Sequence, residues 1–221
     1  MRLERAVQFV FFGFCFSDIA ARPWLEAGYH VVICDIQHAP GAVMAGGHVG
    51  GNLVRLGCDL ANSKEVLEWL AKLGLTECVF AGFFPPCTHI ASSGARWWKQ
   101  KGLRALQESI SYFATSQELA EHFGCPYFIE NPVSAIATHW RKPDYICDPC
   151  DFTALAAHDN YTKKTCLWTG GGFQMPAAAR AEGLPAPDER IWRAPQSKQR
   201  AKLRSMTPEG FARAVFLANA S

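Results

Sequence analysis

This 221-residue sequence lacks the features of several protein classes. No apolar run approaches the ~20 residues that span a bilayer, and no low-complexity tract or solenoid-length repeat occurs. Neither sign of charge dominates, since 22 Lys and Arg residues face 20 Asp and Glu residues and the net charge is +2. Such a small excess neither requires nor excludes nucleic acid as a partner. What is present is 49% apolar residues, enough to bury a sizeable core.

A disulfide framework is also missing, although the sequence has nine cysteines. Their number is odd, and most lie in apolar, strand-like runs such as VVICDI and ECVFAGFF, whereas disulfide frameworks are typical of short secreted chains. The apolar run at 7–16 has the length of a signal-peptide core, but no small-x-small cleavage pattern follows it. We interpret it as a first buried strand. The expectation is a cytoplasmic protein with reduced thiols and no membrane partner.

Short apolar runs alternate with helical patterns along the chain, which predicts parallel strands connected by helices. The strands are predicted at 6–12, 30–36, 53–60, 77–84, 125–131 and 165–169, with a glycine-rich loop at 46–52. The helices are predicted at 18–29, 62–74, 102–124 and 207–220. The expected fold class is α/β, a mostly parallel, doubly wound sheet in a single domain that covers residues 1–221.

The sequence also predicts the N-caps of two helices and the buried face of a third. Asp18 is the expected N-cap of the first helix, and Thr207 that of the last. The long helix at 102–124 is expected to bury an apolar stripe at helical spacing. The members of this stripe are Leu103, Leu106, Ile110 and Phe113.

The residues at the ends of the predicted strands can carry chemistry. In a doubly wound sheet the active site lies in the crevice outside the carboxyl ends of the strands. The strand ends bring Gly13, Asp35 and Asp59 to one half of this crevice. The next two strands bring Cys87 and Glu130 to the other half. The sequence therefore predicts carboxylates on one side and a thiol with a carboxylate on the other.

Cys87 is the candidate nucleophile. It follows two prolines at a strand end and precedes a loop of small residues, which favours exposure to the crevice. A thiol with an ordinary pKa of ~8.5 is mostly protonated at neutral pH, and a nearby cation promotes the nucleophilic thiolate. His89 is one such neighbour, although a loop histidine with a backbone partner is the alternative. The structural alternative for Cys87 and Glu130 is a buried turn cysteine and a strand-capping glutamate.

The sequence around these residues resembles that of the DNA cytosine-C5 methyltransferases. PPCTHIASSG at 85–94 and FIENP at 128–132 look like the family's Pro-Cys and Glu-Asn motifs. RKPDYI, YTKKTCLWTGGGF and LRSMTPEGFARAV follow in the order typical of short phage and prophage members. The resemblance extends over nearly the whole chain. It implies a Rossmann-like, S-adenosylmethionine-dependent methyltransferase fold. It also implies a protein of the bacterial cytoplasm, whose gene could be carried by a phage.

The resemblance implies methyl transfer from S-adenosylmethionine to C5 of cytosine in DNA through a covalent cysteine intermediate. Cys87 would add to C6, and Glu130 would hydrogen-bond the base at N3 and at its amine. The cofactor contacts that it implies are Gly13, Ser17, Asp18, Asp35 and Asp59, with Asp35 at the ribose and Asp59 near the adenine. The substrate contacts that it implies are Pro86, Ser92, Asn131 and Lys164.

Two departures from the family pattern keep other functions open. The first strand ends in FFGFCFSD where the family has Phe-x-Gly-x-Gly, so a glycine that lets a ligand approach the backbone is missing. Only 71 residues separate Asn131 from Leu203, too few for a separate target-recognition domain. The alternatives are the same chemistry on a free cytosine nucleotide such as dCMP, and a catalytically weakened relative that binds nucleic acid.

Basic and aromatic residues near the motifs are candidate contacts to phosphates and bases. They are Arg96, Trp97, Trp98, Lys99, Lys163 and Lys164. The alternative for the Arg and Trp residues is a loop that packs its own aromatic rings.

A C-x-x-C pair, Cys147 and Cys150, suggests a structural zinc site with His158 and Cys166. A second C-x-x-C pair is absent, and Cys166 lies in an apolar strand. The sequence therefore favours a protein without a metal.

Overall fold

The computed structural model describes residues 7–48, 51–195, 197 and 204–220. Within these residues eight strands form one sheet, in the order β3-β4-β2-β1-β5-β6-β8-β7. The strands are β1 Gln8–Gly13, β2 His30–Cys34, β3 Gly41–His48, β4 Gly51–Gly57, β5 Glu77–Phe83, β6 Tyr127–Pro132, β7 Tyr145–Cys147 and β8 Thr165–Gly170. The five central strands are parallel to one another, whereas β3, β8 and β7 pair antiparallel with their neighbours.

Helices cover both faces of this sheet. The α-helices in the described ranges are α1 Arg22–Glu26, α2 Ser63–Lys72, α3 Trp98–Phe123, α4 Ile136–His139, α5 Arg190–Arg193 and α6 Glu209–Asn219. Side chains alternate along a strand, so Phe9 and Phe11 share a buried cluster with residues of α2 and α3. Val10 and Phe12 share a second cluster with residues of α1 and α6. The prediction of an α/β fold with a mostly parallel sheet is confirmed.

Two strands were not predicted, β3 and β7. The glycine-rich loop predicted at 46–52 is wrong where the structure describes it, because 46–48 belong to β3 and 51–52 to β4; residues 49 and 50 lie outside the described ranges. Glycine disfavours strands locally, but pairing with β4 outweighs this preference. At position 57 packing requires glycine, since a side chain there would collide with the carbonyl of Ala39.

The predicted apolar stripe of the long helix is wrong at two of its four positions. The helix α3 starts earlier than predicted, and Gly102, with a φ of 79°, interrupts its helical backbone. Leu103 is 83% exposed and Ile110 is 37% exposed, whereas Phe113 is buried. The face that packs on the sheet continues instead from Phe113 through Leu119.

Both predicted N-caps are wrong. The cap position of α1 is Ala21, and the side chain of Asp18 pairs with Arg55 of β4 instead. Pro208, not Thr207, occupies the cap position of α6 and makes no side-chain cap bond. The missing acceptor comes from a distant loop, where Asp159 Oδ2 accepts a hydrogen bond of 2.8 Å from the Gly210 amide. Sequence-local cap rules do not detect such a partner.

The strand order defines one crevice. Along the sheet, β2 and β4 lie on one side of β1, and β5 and β6 lie on the other. The carboxyl ends of these parallel strands meet at one edge. From β1 the chain first adds strands on one side, β2 and β4, and then on the other, β5 and β6, and ligands bind at such a switch in open α/β sheets. Among the described helices, none has the length and apolar character to cross a membrane.

Candidate active site

Cys87 stands out among the cysteines of this protein. All nine lie in described ranges and none is in a disulfide; eight are buried, and Cys87 alone is partly exposed. It follows the carboxyl end of β5, and Glu130 lies near the carboxyl end of the adjacent parallel strand β6. The structure thus places the predicted thiol and the predicted carboxylate at neighbouring strand ends.

The turn that carries Cys87 is fixed to the chain that follows β6. Asn131 Nδ2 donates a hydrogen bond of 3.0 Å to the carbonyl of Pro85. Further along, the Ser92 amide donates to the Val133 carbonyl at 2.9 Å, and the Ala135 amide donates to the Ile90 carbonyl at 3.0 Å. These bonds join the two loops of the crevice into one unit.

Asn131 positions the turn that carries Cys87. Its side chain is completely buried, and Oδ1 has no hydrogen-bond partner within the described ranges. The hydrogen bond from its buried amide to the Pro85 carbonyl holds the turn before Cys87 in place. The substrate contact predicted for Asn131 stays a prediction. The other two predicted contacts on the loop, Pro86 and Ser92, are exposed.

Two cations act on Cys87 and Glu130. Lys163 Nζ lies 3.9 Å from Glu130 Oε1, and each of these side chains is 15% exposed. Burial and the Glu130 carboxylate raise the pKa of the Cys87 thiol, whereas Arg204 and Lys163 lower it. The net effect is a raised pKa, so Cys87 is a thiol at neutral pH. The four groups therefore form one electrostatic unit.

A cleft opens beside Glu130. Its apolar lining includes Phe84 and Phe211, and its polar lining includes Lys163. The backbone amide of Lys163 donates to Asp148 Oδ1 at 2.7 Å, and its ammonium group donates to the Met206 carbonyl at 3.3 Å. Apolar walls with a few convergent polar groups are typical of a small-molecule site.

Lys163, not Lys164, is the lysine beside Glu130. Lys164 is exposed. The signal that separates the two is strand alternation: Glu130 is paired with Leu167 of β8, and side chains two and four residues before Leu167 share its face. Arg204 and Met206 had no comparable signal, because their contacts with Ser93 and Lys163 span 111 and 43 residues.

The opposite half of the crevice holds the predicted cofactor contacts. Asp35 is buried, and its Oδ1 accepts hydrogen bonds from Gln37 N at 2.8 Å and Gln37 Nε2 at 3.1 Å. In the described ranges Gln37 is the sole hydrogen-bond donor to this carboxylate, and both of its bonds go to Oδ1. Asp59 is exposed, and its Oδ1 accepts from the Ala61 amide at 2.9 Å. The ribose and adenine contacts expected of these carboxylates stay predictions.

Apolar surface lies beside Asp35. Phe16 is 54% exposed and stacks on His38 with ring centroids 5.1 Å apart. His38 is fixed by a 3.2 Å hydrogen bond between its Nε2 and the carbonyl of Cys15. Ile36, which follows Asp35 directly, is 69% exposed. Exposed apolar side chains around a buried carboxylate fit the adenosine part of S-adenosylmethionine.

The loop after β1 fits S-adenosylmethionine less well at Asp18, one of the predicted cofactor contacts. Asp18 Oδ2 accepts a 2.6 Å hydrogen bond from Arg55 Nη2, which takes up the charge expected to meet the cationic end of the cofactor. Phe14 has a φ of 54°, in the left-handed region that favours glycine. Ser17 is half-buried on the same loop, which starts at Gly13. The turn is thus built without the second glycine, at the cost of backbone strain.

The zinc alternative has no support in the described ranges. No group of three or more His, Cys, Asp or Glu side chains there is placed to hold a metal ion. Cys147, Cys150 and Cys166 are all buried.

No protein-family model matches the chain, and no curated protein matches it either.

Proposed function

We propose that this protein transfers a methyl group to C5 of cytosine, with Cys87 as the covalent nucleophile. The observation that supports this most is the placement of Cys87 and Glu130 at the carboxyl ends of adjacent parallel strands, together with Lys163. A thiol and a carboxyl group at adjacent strand ends can contact two edges of one pyrimidine ring. C5 of cytosine is a poor nucleophile, and thiolate addition to C6 gives C5 the character of an enamine.

The steps balance in bonds and protons. The Cys87 thiol gives its proton to the Glu130 carboxylate, which passes it to N3 as the sulfur forms its bond to C6 and negative charge develops in the ring. S-adenosylmethionine, when bound, supplies a methyl group on a sulfonium centre. C5 would gain that methyl group as its bond to the sulfonium sulfur breaks, which leaves S-adenosylhomocysteine, and C5 then loses its proton to a base. The sulfur–C6 bond breaks and N3 returns its proton through Glu130, which restores the aromatic ring and the Cys87 thiol.

The electrostatics of the site suggest when the thiolate forms. Glu130 raises the pKa of Cys87, so the resting thiol is unreactive. When cytosine binds, the proton that Glu130 takes from the Cys87 thiol is shared with N3, which reduces the negative charge of the carboxylate. Lys163 and Arg204, which lower the pKa of Cys87, then act with less opposition. Activation of the nucleophile is thereby tied to substrate binding.

The cofactor would be held by the residues of the other half. Asp35 would accept hydrogen bonds from the ribose, and Phe16 and Ile36 would contact the adenine, with Asp59 nearby. Because Asp18 forms an ion pair with Arg55, Asp35 would be the principal acidic contact to the cofactor.

The experiment is methyl transfer from labelled S-adenosylmethionine to duplex DNA, single-stranded DNA and dCMP. Cys87→Ser and Glu130→Gln should each abolish transfer, while Thr88→Ala, an exposed neighbour, should retain it. An oligonucleotide with 5-fluorocytosine should trap a covalent adduct on Cys87, because fluorine replaces the C5 proton and cannot be removed by a base. Full transfer by Cys87→Ala, or no transfer to any of the three substrates by the wild type, would remove the proposal.

A further inference from the structure

Four of the buried cysteines lie in two pairs whose thiols are in contact. The Sγ atoms of Cys34 and Cys58 are 3.4 Å apart, and those of Cys78 and Cys125 are 3.7 Å apart. A buried free cysteine ordinarily serves as a small apolar side chain. Two thiols in contact have a reaction that a single buried thiol lacks, because oxidation can join their sulfur atoms in a disulfide.

The two pairs lie at opposite edges of the sheet. Cys34 is the last residue of β2 and Cys58 follows the end of β4, so these two form the crevice pair at the carboxyl edge. Cys78 is near the amino end of β5 and Cys125 precedes β6, so these two form the control pair at the amino edge. An effect of oxidation on the crevice can therefore be assigned to one pair.

Each cysteine of the crevice pair directly precedes an aspartate that begins a turn. Asp35 Oδ1 accepts a hydrogen bond of 2.8 Å from the Gln37 amide, and Asp59 Oδ1 accepts one of 2.9 Å from the Ala61 amide. These are the two carboxylates for which the proposed function gives a role at the cofactor. A movement of either sulfur atom is transmitted to one of these turns.

The two cysteines of the crevice pair are held unequally. Cys34 lies in β2 between β1 and β4, is completely buried, and its carbonyl accepts a hydrogen bond of 3.0 Å from the Cys15 amide. Cys58 lies past the last residue of β4 and is 6% exposed. The sulfur atoms must approach from their 3.4 Å contact to form a bond. Because Cys58 is the less restrained partner, most of this movement falls on Cys58 and on Asp59 after it.

We propose that the crevice pair is a redox site, at which hydrogen peroxide converts Cys34 and Cys58 to a reversible disulfide that displaces the turn at Asp59. The displaced turn weakens the binding of S-adenosylmethionine. This effect on the cofactor rests on the proposed function, whereas formation of the disulfide does not.

The oxidation balances in atoms and electrons. The Cys58 sulfur, which is the more exposed of the two, attacks one oxygen of peroxide, and the O–O bond breaks to give a sulfenic acid. The thiol proton leaves with the other oxygen as water. The Cys34 sulfur then attacks the Cys58 sulfur, and the sulfenic oxygen leaves with the Cys34 proton as a second water. The two thiols lose two electrons and two protons, and one peroxide is reduced to two waters.

The test uses a Cys87→Ser background, so that the partly exposed thiol does not react. After peroxide treatment of the folded protein and blocking of the remaining thiols, mass spectrometry should find a peptide that links Cys34 to Cys58. Amide exchange at Ala61 should become faster, because its bond to Asp59 is lost, and dithiothreitol should reverse the change. Calorimetry should show that oxidation weakens S-adenosylmethionine binding by roughly tenfold, the loss of one hydrogen bond.

The linkage should also be visible in the opposite direction. Because coupling between two equilibria is reciprocal, S-adenosylmethionine should shift the crevice pair toward its thiols in a dithiothreitol redox buffer, at saturation by the same factor by which oxidation weakens binding. The control pair, at the other edge of the sheet, should not respond to S-adenosylmethionine. The ratio of linked to unlinked peptides measures both pairs in one sample.

Two matched variants complete the experiment. Cys58→Ser keeps the size of the side chain and cannot form the bond, so Ala61 exchange and cofactor affinity should not respond to peroxide. Cys125→Ser removes the control pair and should leave the response as it was. The proposal is overturned if the folded protein yields no peptide linking Cys34 to Cys58, if the linked protein keeps its Ala61 exchange rate, or if Cys58→Ser responds like its parent.

Failure of the proposed function has a different signature. A linked peptide with faster Ala61 exchange, in a protein whose reduced form does not bind S-adenosylmethionine, would remove the cofactor and keep the redox site. Cofactor binding by the reduced protein without any linked peptide after peroxide would remove the redox site and keep the cofactor.

Discussion

Lys163 Nζ lies 3.9 Å from Glu130 Oε1, and each side chain is only 15% exposed. The two residues come from neighbouring parts of the sheet, β6 and the segment before β8. Their opposite charges act in opposite directions on Cys87, since Glu130 raises the pKa of its thiol and Lys163 lowers it. The reactivity of Cys87 is therefore a measure of the whole site.

The pH dependence of Cys87 alkylation should report this balance. Because the thiolate is the reactive form and the pKa is raised, the midpoint of the iodoacetamide rate should lie above that of an ordinary thiol. Glu130→Gln should lower the midpoint, and Lys163→Gln or Arg204→Gln should raise it. Mass spectrometry of the Cys87 peptide across pH measures the midpoint. Shifts of Glu130→Gln and Lys163→Gln in the same direction would contradict this account.

The other cysteines serve as internal controls in the same experiment. Cys34 is completely buried, and its thiol lies 3.4 Å from that of Cys58. Hydrogen bonding with Cys58 and burial raise the pKa of Cys34. We expect Cys87 to be labelled first in the folded protein. Equal labelling of Cys34 would show that the protein opens under the conditions used.

Asp35 and Asp18 should differ in their effect on S-adenosylmethionine binding. Asp35→Asn removes a ribose acceptor and should weaken binding by roughly tenfold, the cost of about 1.4 kcal/mol. Asp18→Asn should change binding little, because its carboxylate is paired with Arg55 at a partly exposed site. Isothermal titration calorimetry measures both. Loss of binding in Asp18→Asn alone would reverse the assignment.

The residues that could be identified from sequence are those at the ends of apolar runs. Cys87, Glu130 and Asp35 each lie at or just past a buried run, and the parallel sheet brings such ends to one edge. The contacts that surround them could not be found this way. Arg55 reaches Asp18 across 37 residues, and Asp159 reaches Gly210 across 51. Such partners depend on the assembled fold and leave no local pattern.

The same limit explains the errors in secondary structure. The strand β3 is rich in glycine, and nothing local predicts it; the ladder with β4 forms it. In α3, helical periodicity correctly predicted burial of Phe113, but the break at Gly102 places Leu103 in solvent. Periodicity predicts that a helix exists, and packing decides which of its residues are buried.

Asn131 should contribute to stability and to turnover through Pro85. Asn131→Ala removes the hydrogen bond to the Pro85 carbonyl and leaves that carbonyl without its donor, at a cost of about 1–3 kcal/mol. The turn before Cys87 should loosen, so kcat should fall more than substrate affinity. Urea unfolding and amide exchange at 88–92 measure the two effects. Lost substrate affinity with unchanged stability would instead support the direct contact predicted from the sequence.

Asp159 should affect the site from a distance, through the start of α6. Its buried carboxylate accepts the Gly210 amide at 2.8 Å, and the chain just before α6 carries Arg204, which lowers the pKa of Cys87. Asp159→Ala removes an acceptor equivalent to a helix cap, so stability should fall by about 1 kcal/mol. If Arg204 is displaced, the Cys87 alkylation midpoint should also rise.

Asp159→Asn separates the positioning role from a general loss of stability. The amide oxygen of asparagine can still accept from Gly210, so the alkylation midpoint should stay near that of the wild type. Burial raises the pKa of Asp159, and a raised carboxyl pKa means that folding stability decreases as pH rises from the unfolded pKa through the folded one. Asp159→Asn should abolish this decrease in thermal melts. If Asp159→Ala melts earlier but leaves the Cys87 midpoint unchanged, the segment at 204–208 keeps its place without Asp159, and the contact is structural alone.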